Sequence, residues 1–244
     1  MRFLLYNIRY GTGTSGIFHF PVPYFGYLRN TRKNLSRIIA YIKSVRPEII
    51  GLVEVDSGSF RTGRFNQAEV IARAMKQYYV YQSKYATSSL IGRLPVLDKQ
   101  GNAFLTSNEI KAQKFHYFQK GVKRLVIELE LEDVIIFLVH LSLKFRHRHH
   151  QLKDLYTLFK SINKPVIVAG DFNVLWGDHE LQLFLGATGL QNANTQERPS
   201  YPSWSPRRQL DFILHSPEIR VTDFSIPRIS LSDHMPLVCD FEVA

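Results

Sequence analysis

The residues best suited to chemistry in this chain stand one by one at the ends of apolar runs. Asn7 closes "RFLLYNI", Glu54 closes "EIIGLVEV" and His140 closes "VIIFLVH". Asp171 and Asn173 follow "VIVAG", Asp211 lies within "QLDFILH", and Asp233 and His234 precede the apolar run "MPLVCDFEV". Singly, each has a bland reading: Asp and Asn favour turns, a glutamate is ordinarily solvated, and a histidine can be a satisfied core residue. Together they form a set of carboxylates, amides and imidazoles delivered by nearly every major apolar run. The set offers no hydroxyl or thiol, which argues against a covalent nucleophile with its base. Hard oxygen donors without thiolates suit Mg²⁺ or Mn²⁺, and those ions serve phosphate chemistry.

The elements that must position these groups can be read from periodicity. Strands are expected over 2–8, 48–55, 101–107, 166–173, 209–215 and 235–243, with "KRLVIELEL" and "VIIFLVHLSL" as an antiparallel pair around Glu132 and Asp133. In the strand that leads to Asp171, alternation places residues 171 and 173 on one side. Leu35, Ile38, Ile39 and Ile42 recur at helical spacing over 32–45, with Asn30 or Thr31 as the cap and Pro47 as the stop. Further helices are expected over 66–78, over 149–161 and near 180–185. Strands and helices intermix with no repeat or linker, so the expectation is one α/β domain spanning 1–244.

Quoted in chain order, "YN-I", "VE", "GNA", "HL", "GDFN", "DFIL" and "SDH" resemble the endonuclease/exonuclease/phosphatase superfamily, the DNase I-like fold. The resemblance covers nearly the whole chain, and "GDFN" with a terminal "SDH" is its most specific part. It implies a four-layer α/β sandwich: two packed mixed sheets flanked by helices, with the site at one edge. It also implies a divalent-metal-dependent phosphoester hydrolase. Glu54 would ligate the ion, with Asn7 as ligand or close neighbour and Asp233 near the metal. Asp171 would orient or deprotonate water, and Asn173 would steady phosphate oxygens. His140 and His234 would donate to the phosphate as imidazolium groups, with Asp211 charging His234. Val53, Arg9 and Val139 depart from better-known branches; Arg9 stands where some DNA repair members carry an acid, which weakens a two-metal reading.

The substrate side is read from charge and loops. A formal net charge of +10 attracts polyanions, so a phosphorylated anionic substrate is expected, with nucleic acid favoured over a lipid head group. Arg9, Asn102, Trp204, Arg207 and Arg208 are the expected substrate contacts. The aromatic stretch 16–30, ending near Arg29, could stack bases, insert among lipid tails or fold as local core. A phosphatase or phospholipase acting on lipid or inositol head groups is the alternative function. The only cysteine, Cys239, precludes an intrachain disulfide; with no apolar run long enough to span a bilayer and no signal-like opening, the expected compartment is the cytoplasm. Two tempting motifs fail. "GTGTSG" (11–16) is followed by prolines instead of a helix, and His147, His149 and His150 point in different directions on any helix.

Overall fold

The computed structural model describes residues 1–14, 31–84, 97–160 and 162–243. The first sheet is built on β1 (Arg2–Asn7) and β2 (Ile49–Asp56), which run parallel and are joined through helix α1 (Arg32–Val45). Helix α2 (Gln67–Met75) and strands β3 (Tyr78–Ser83) and β4 (Gln100–Thr106) follow, β4 pairing antiparallel to both β2 and β3. The second sheet repeats the scheme. Strands β5 (Ala112–Tyr117), β6 (Leu125–Glu130) and β7 (Ile135–His140) pair antiparallel, and helix α3 (Phe145–Phe159) carries the chain to β8 (Val166–Asp171), parallel to β7. After helix α4 (Gln182–Thr188) come β9 (Gln191–Asn192) and β10 (Asp211–His215), the latter antiparallel to β8 and β9. The chain then returns to the first sheet as β11 (Ile219–Ser225) and β12 (Leu237–Val243), β12 lying against β1. The orders are β11-β12-β1-β2-β4-β3 and β5-β6-β7-β8-β10-β9. This is the four-layer sandwich of two mixed sheets that the resemblance implies.

Three apolar clusters hold the layers. Between the sheets, Phe3, Leu5, Ile49, Val53 and Phe104 meet Ile127, Ile136, Leu138, Ile167, Ala169 and Ile213. On the outer face of the first sheet, Leu4, Tyr6, Ile50 and Leu52 pack against Leu35, Ile38, Ile42 and Ile71 of α1 and α2. Outside the second, Phe137, Val139, Val168 and Phe212 pack against Leu152, Leu155, Phe159 and Phe184 of α3 and α4. Because both faces of the central strands are covered, their sequences read as continuous apolar runs, as a parallel pair between helices requires.

The helix over 32–45 stands where its pattern places it, with Thr31 at the N-cap and Arg46 in the left-handed conformation after its last turn. Several other boundaries differ from the sequence reading: α2 ends at Met75 instead of 78, β10 begins at Asp211 instead of 209, and α4 runs to Thr188. Helix α3 begins four residues earlier than expected, and β8 ends at Asp171, so Asn173 is not on the strand.

Candidate active site

The inter-sheet core explains where the polar groups go. Side chains alternate along a strand. Asn7 therefore follows Phe3 and Leu5 onto the inner face of the first sheet, and Asn102 shares that face with Phe104. In the second sheet His140 follows Ile136 and Leu138, Asp171 follows Ile167 and Ala169, and Asp211 precedes Ile213. At one edge of the sandwich the aliphatic residues of the inner faces thus give way to amides, carboxylates and an imidazole. Register aligns them: His140 pairs with Asp171, and Asp171 with Asp211. Both parallel pairs point their carboxyl ends this way, the usual position of ligand sites in parallel sheets.

Glu54 breaks the alternation, since Val53 already faces the core. The ladder between β2 and β4 shifts register between Leu52 and Val55, and Glu54 lies at φ 58. A bulge of this kind re-aims one side chain without ending the strand. Asn102 accepts a hydrogen bond from the Glu54 amide at 3.3 Å and is fully buried, so it lies beneath Glu54 and not on a substrate-contacting surface. Asn173, at φ 53, sits in a turn closed by its own amide donating to Asp171 Oδ1 at 3.0 Å, while its Nδ2 donates to the Leu141 carbonyl at 2.9 Å. Turn and site are one feature here, because the bond that ends the strand also fixes the Asp171 carboxylate. Gly170 lets β8 approach β7 just before it. At φ +151, an added Cβ would lie 1.9 Å from the Val139 carbonyl oxygen.

Asp171 Oδ2 is the focus of the cluster. It accepts from Asn7 Nδ2 at 3.1 Å and lies 3.3 Å from His140 Nε2 and 3.9 Å from His234 Nε2. His234 Nδ1 meets Asp211 Oδ2 at 2.8 Å, and the Ser200 hydroxyl donates to that same oxygen at 2.6 Å. The Tyr201 ring packs on His234 at 4.8 Å between centroids. Arg207 and Arg208 are exposed on the hairpin that returns to Tyr201, so they stand on the rim beside His234; Trp204, 42% exposed, shares that loop. Asp233 meets Arg9 Nε at 3.5 Å. Arg29 and the aromatic stretch 16–30 lie outside the described residues.

The two imidazoles carry different charge. Burial would lower the pKa of His234, but Asp211 and Asp171 outweigh it and raise the value to about 10. For His140, burial and then Lys123 and Lys84 push the pKa well below 6.5, so this imidazole is neutral and not the expected imidazolium. Lys84 Nζ lies 3.1 Å from His140 Nδ1, while Asp171 Oδ2 and Lys123 both face Nε2. Burial works against ionisation of both Glu54 and Asp171. Lys84 and Lys123 nevertheless hold the Glu54 carboxyl below its ordinary range, and His234 and His140 do the same for Asp171.

Sequence reasoning passed over Lys84, Lys123, Ser200 and Tyr201. Lys84 is 4% exposed, bonded to His140 and to the Tyr10 hydroxyl at 3.3 Å, and its burial lowers its pKa to about 8. Lys123 reaches His140 Nε2 and stands 3.8 Å from Glu54 Oε1. A lone lysine in "YQSKYA" or "GVKRL" carries no spacing signal. The "SYP" that supplies Ser200 and Tyr201 reads as a turn.

Asp171, Asp211 and His234 each offer a ligand atom within 4.8 Å of the others. Asp211 Oδ2 is already engaged twice, however, and a protonated imidazole has no lone pair for a cation. Glu54 suits a hard divalent ion better. Its side chain is 16% exposed, held ionised, and accepts no hydrogen bond among the described residues.

A model of the Endonuclease/Exonuclease/phosphatase family matches residues 4–234. No curated protein matches the chain. Among solved structures, an endonuclease/exonuclease/phosphatase from Beutenbergia cavernae superposes with a TM-score of 0.75 at 16% identity, covering 100% of this chain and 72% of that one. The human Nocturnin catalytic domain with bound sulfate anion gives 0.71 at 22% identity, covering 100% and 94%. A mannosyl-6-phosphatase from Bacteroides thetaiotaomicron gives 0.69 at 13% identity, covering 99% of both chains. At these identities the structural likeness speaks to the fold alone.

Proposed function

Because the chain belongs to the endonuclease/exonuclease/phosphatase family, we propose that its polar edge is a divalent-metal-dependent phosphoester hydrolase site centred on Asp171. The observation that carries the proposal is the convergence on Asp171 Oδ2 of Asn7, a neutral imidazole and a protonated one. Held ionised between donors, Asp171 is placed to take a proton from an attacking water. His234, kept cationic by Asp211, donates to phosphate oxygens whose charge grows in the transition state. His140 serves as a neutral imidazole held between Lys84 at Nδ1 and Asp171 at Nε2. Glu54, with Asn7 alongside, would hold Mg²⁺ or Mn²⁺, which polarises a phosphate oxygen when bound. Arg9 adds a cation beside Asp233, and Asn173 keeps the Asp171 carboxylate in place.

Nucleic acid is the first substrate class, supported by the net charge of +10 and by Arg207 and Arg208 on the rim. A phospholipid or inositol head group is the second, favoured by exposed apolar side chains beside the site, among them Leu143 and Phe145. The test is hydrolysis of DNA, RNA, phosphoinositides, sphingomyelin and a generic phosphodiester with Mg²⁺ or Mn²⁺, with Asp171→Asn as the blank. Metal-dependent turnover of one class is expected. Full activity in excess EDTA would remove the metal from the proposal, and inertness toward every phosphoester would remove the activity.

A further inference from the structure

Three loops beside the site end in exposed apolar side chains. Val126 pairs with Val139, so the β5–β6 loop lies next to His140, and its Val122 is 55% exposed. Leu143 and Phe145, where β7 passes into α3, are 56% and 53% exposed, and Trp176, beyond β8, is 74% exposed. Scattered apolar surface residues are ordinary. These are bound into one rim by buried polar groups of α3. Gln151 donates to the carbonyls of Lys120 at 2.9 Å and Lys123 at 2.7 Å, and accepts from the Ser142 amide at 2.9 Å. Arg148 donates to the carbonyls of Ser142 at 3.0 Å and Leu143 at 2.6 Å, and its Nε donates to Glu180 at 3.0 Å. Glu180 in turn accepts from the Trp176 amide at 3.3 Å. A buried ion pair is a weak source of stability. Here it fixes the backbone under side chains that are half or more exposed.

Cations surround the apolar tips. Lys120, Lys144 and Arg146 are exposed between them, while among the nearby acids whose side chains are described, Asp154 and Glu180 accept from the Gln119 amide and from Arg148. Apolar tips interleaved with lysine and arginine suit an interface where hydrocarbon lies beneath anionic head groups. Phe145 and Trp176 could also stack on bases. Val122 and Leu143 have no ring to stack, and more than half of each is open to water. Their burial is gained against an apolar surface such as hydrocarbon and not by stacking.

We propose that this rim seats the protein on an anionic phospholipid bilayer. Val122, Leu143, Phe145 and Trp176 enter the head-group boundary, and Lys120, Lys144 and Arg146 meet lipid phosphates. The inference concerns where the protein sits and holds whichever phosphoester the site cleaves.

The test is flotation of the intact chain with phosphatidylcholine vesicles, with and without phosphatidylserine. Binding to the anionic vesicles is expected to fall by roughly tenfold or more in Leu143→Ser/Phe145→Ser. Lys120→Gln/Lys144→Gln/Arg146→Gln should remove the preference for phosphatidylserine. The chain has two tryptophans, so in Trp204→Phe the emission of Trp176 should shift to the blue on vesicles and be quenched by brominated lipid. That signal needs no change to the rim. Absence of binding by the wild-type chain, or unquenched Trp176 emission, overturns the proposal. So does loss of single-stranded RNA affinity in the Leu143/Phe145 variant without loss of vesicle binding, which would assign the rim to nucleic acid.

Discussion

Replacing Asp211 with Asn should lower the pKa of His234 from about 10 by roughly 1–3 units, into the range of about 7–9. The shape survives, because an amide oxygen still accepts from His234 Nδ1 at the position now 2.8 Å away. What goes is the carboxylate that leads the opposition to burial in raising this pKa to about 10. One opposite charge at such range is worth roughly 1–3 units, or about 1.4–4 kcal/mol. Asp171, at 3.9 Å, remains as the weaker support. The sign follows from the shift. Because the folded value lies above the unfolded 6.5, the stability contributed by this pair is complete below pH 6.5 and is lost as pH rises toward 10. The variant should therefore be destabilised by that amount at neutral pH and much less above pH 10. The same loss should appear in catalysis as a basic limb of kcat/KM displaced downward by the same number of units. Denaturant melts across pH, the pH–rate profile and the imidazole C2–H resonance of His234 all read the same quantity. A variant whose His234 resonance and basic limb match the wild type would refute the account of charge at this site.

Asp171→Asn should lower turnover by ~10²–10⁴ while the circular dichroism spectrum keeps its shape, with a smaller fall in Tm than Asp211→Asn because Asp171 is the weaker support of the His234 charge. Asn102→Ala, which releases the Glu54 amide, should weaken Mn²⁺ binding measured by calorimetry by about tenfold, and Glu54→Gln by at least as much. Gly170→Ala places a Cβ 1.9 Å from the Val139 carbonyl oxygen in a conformation that suits glycine. It should cost about 3 kcal/mol, a fall in Tm of roughly 6–12 °C in a thermal melt.

The parts of the fold legible in sequence share a physical cause. Most strands found by their apolar runs are covered on both faces, while β12 shows the alternation of a strand buried on one face, with Asp240 and Glu242 turned outward. The four that gave no such run, β3, β5, β9 and β11, are the edge strands of the two sheets. With one neighbour and one face open, a segment such as "YYVYQS" or "AQKFHY" needs no apolar alternation. The early start of α3 was hidden because Arg148 and Gln151 are buried through hydrogen bonds, which hydropathy does not register. At the candidate site, Asp171 and Asp211 could be found because each lies beside a long apolar run. The bulge that turns Glu54 could not, since it depends on the pairing of β2 with β4.

The division of the polar edge between two sheets has a thermodynamic consequence. Asn7, Glu54 and Asn102 belong to the first sheet, and His140, Asp171 and Asp211 to the second, which occupies a continuous stretch within the chain. Neither sheet alone presents a complete constellation, so a ligand held by both must act as a clamp on their docking. Its binding free energy then adds to the work of prising the sandwich open, and saturation should slow amide hydrogen exchange of Leu138 and Ala169, residues that touch no ligand, by the linkage factor 1 + [L]/Kd.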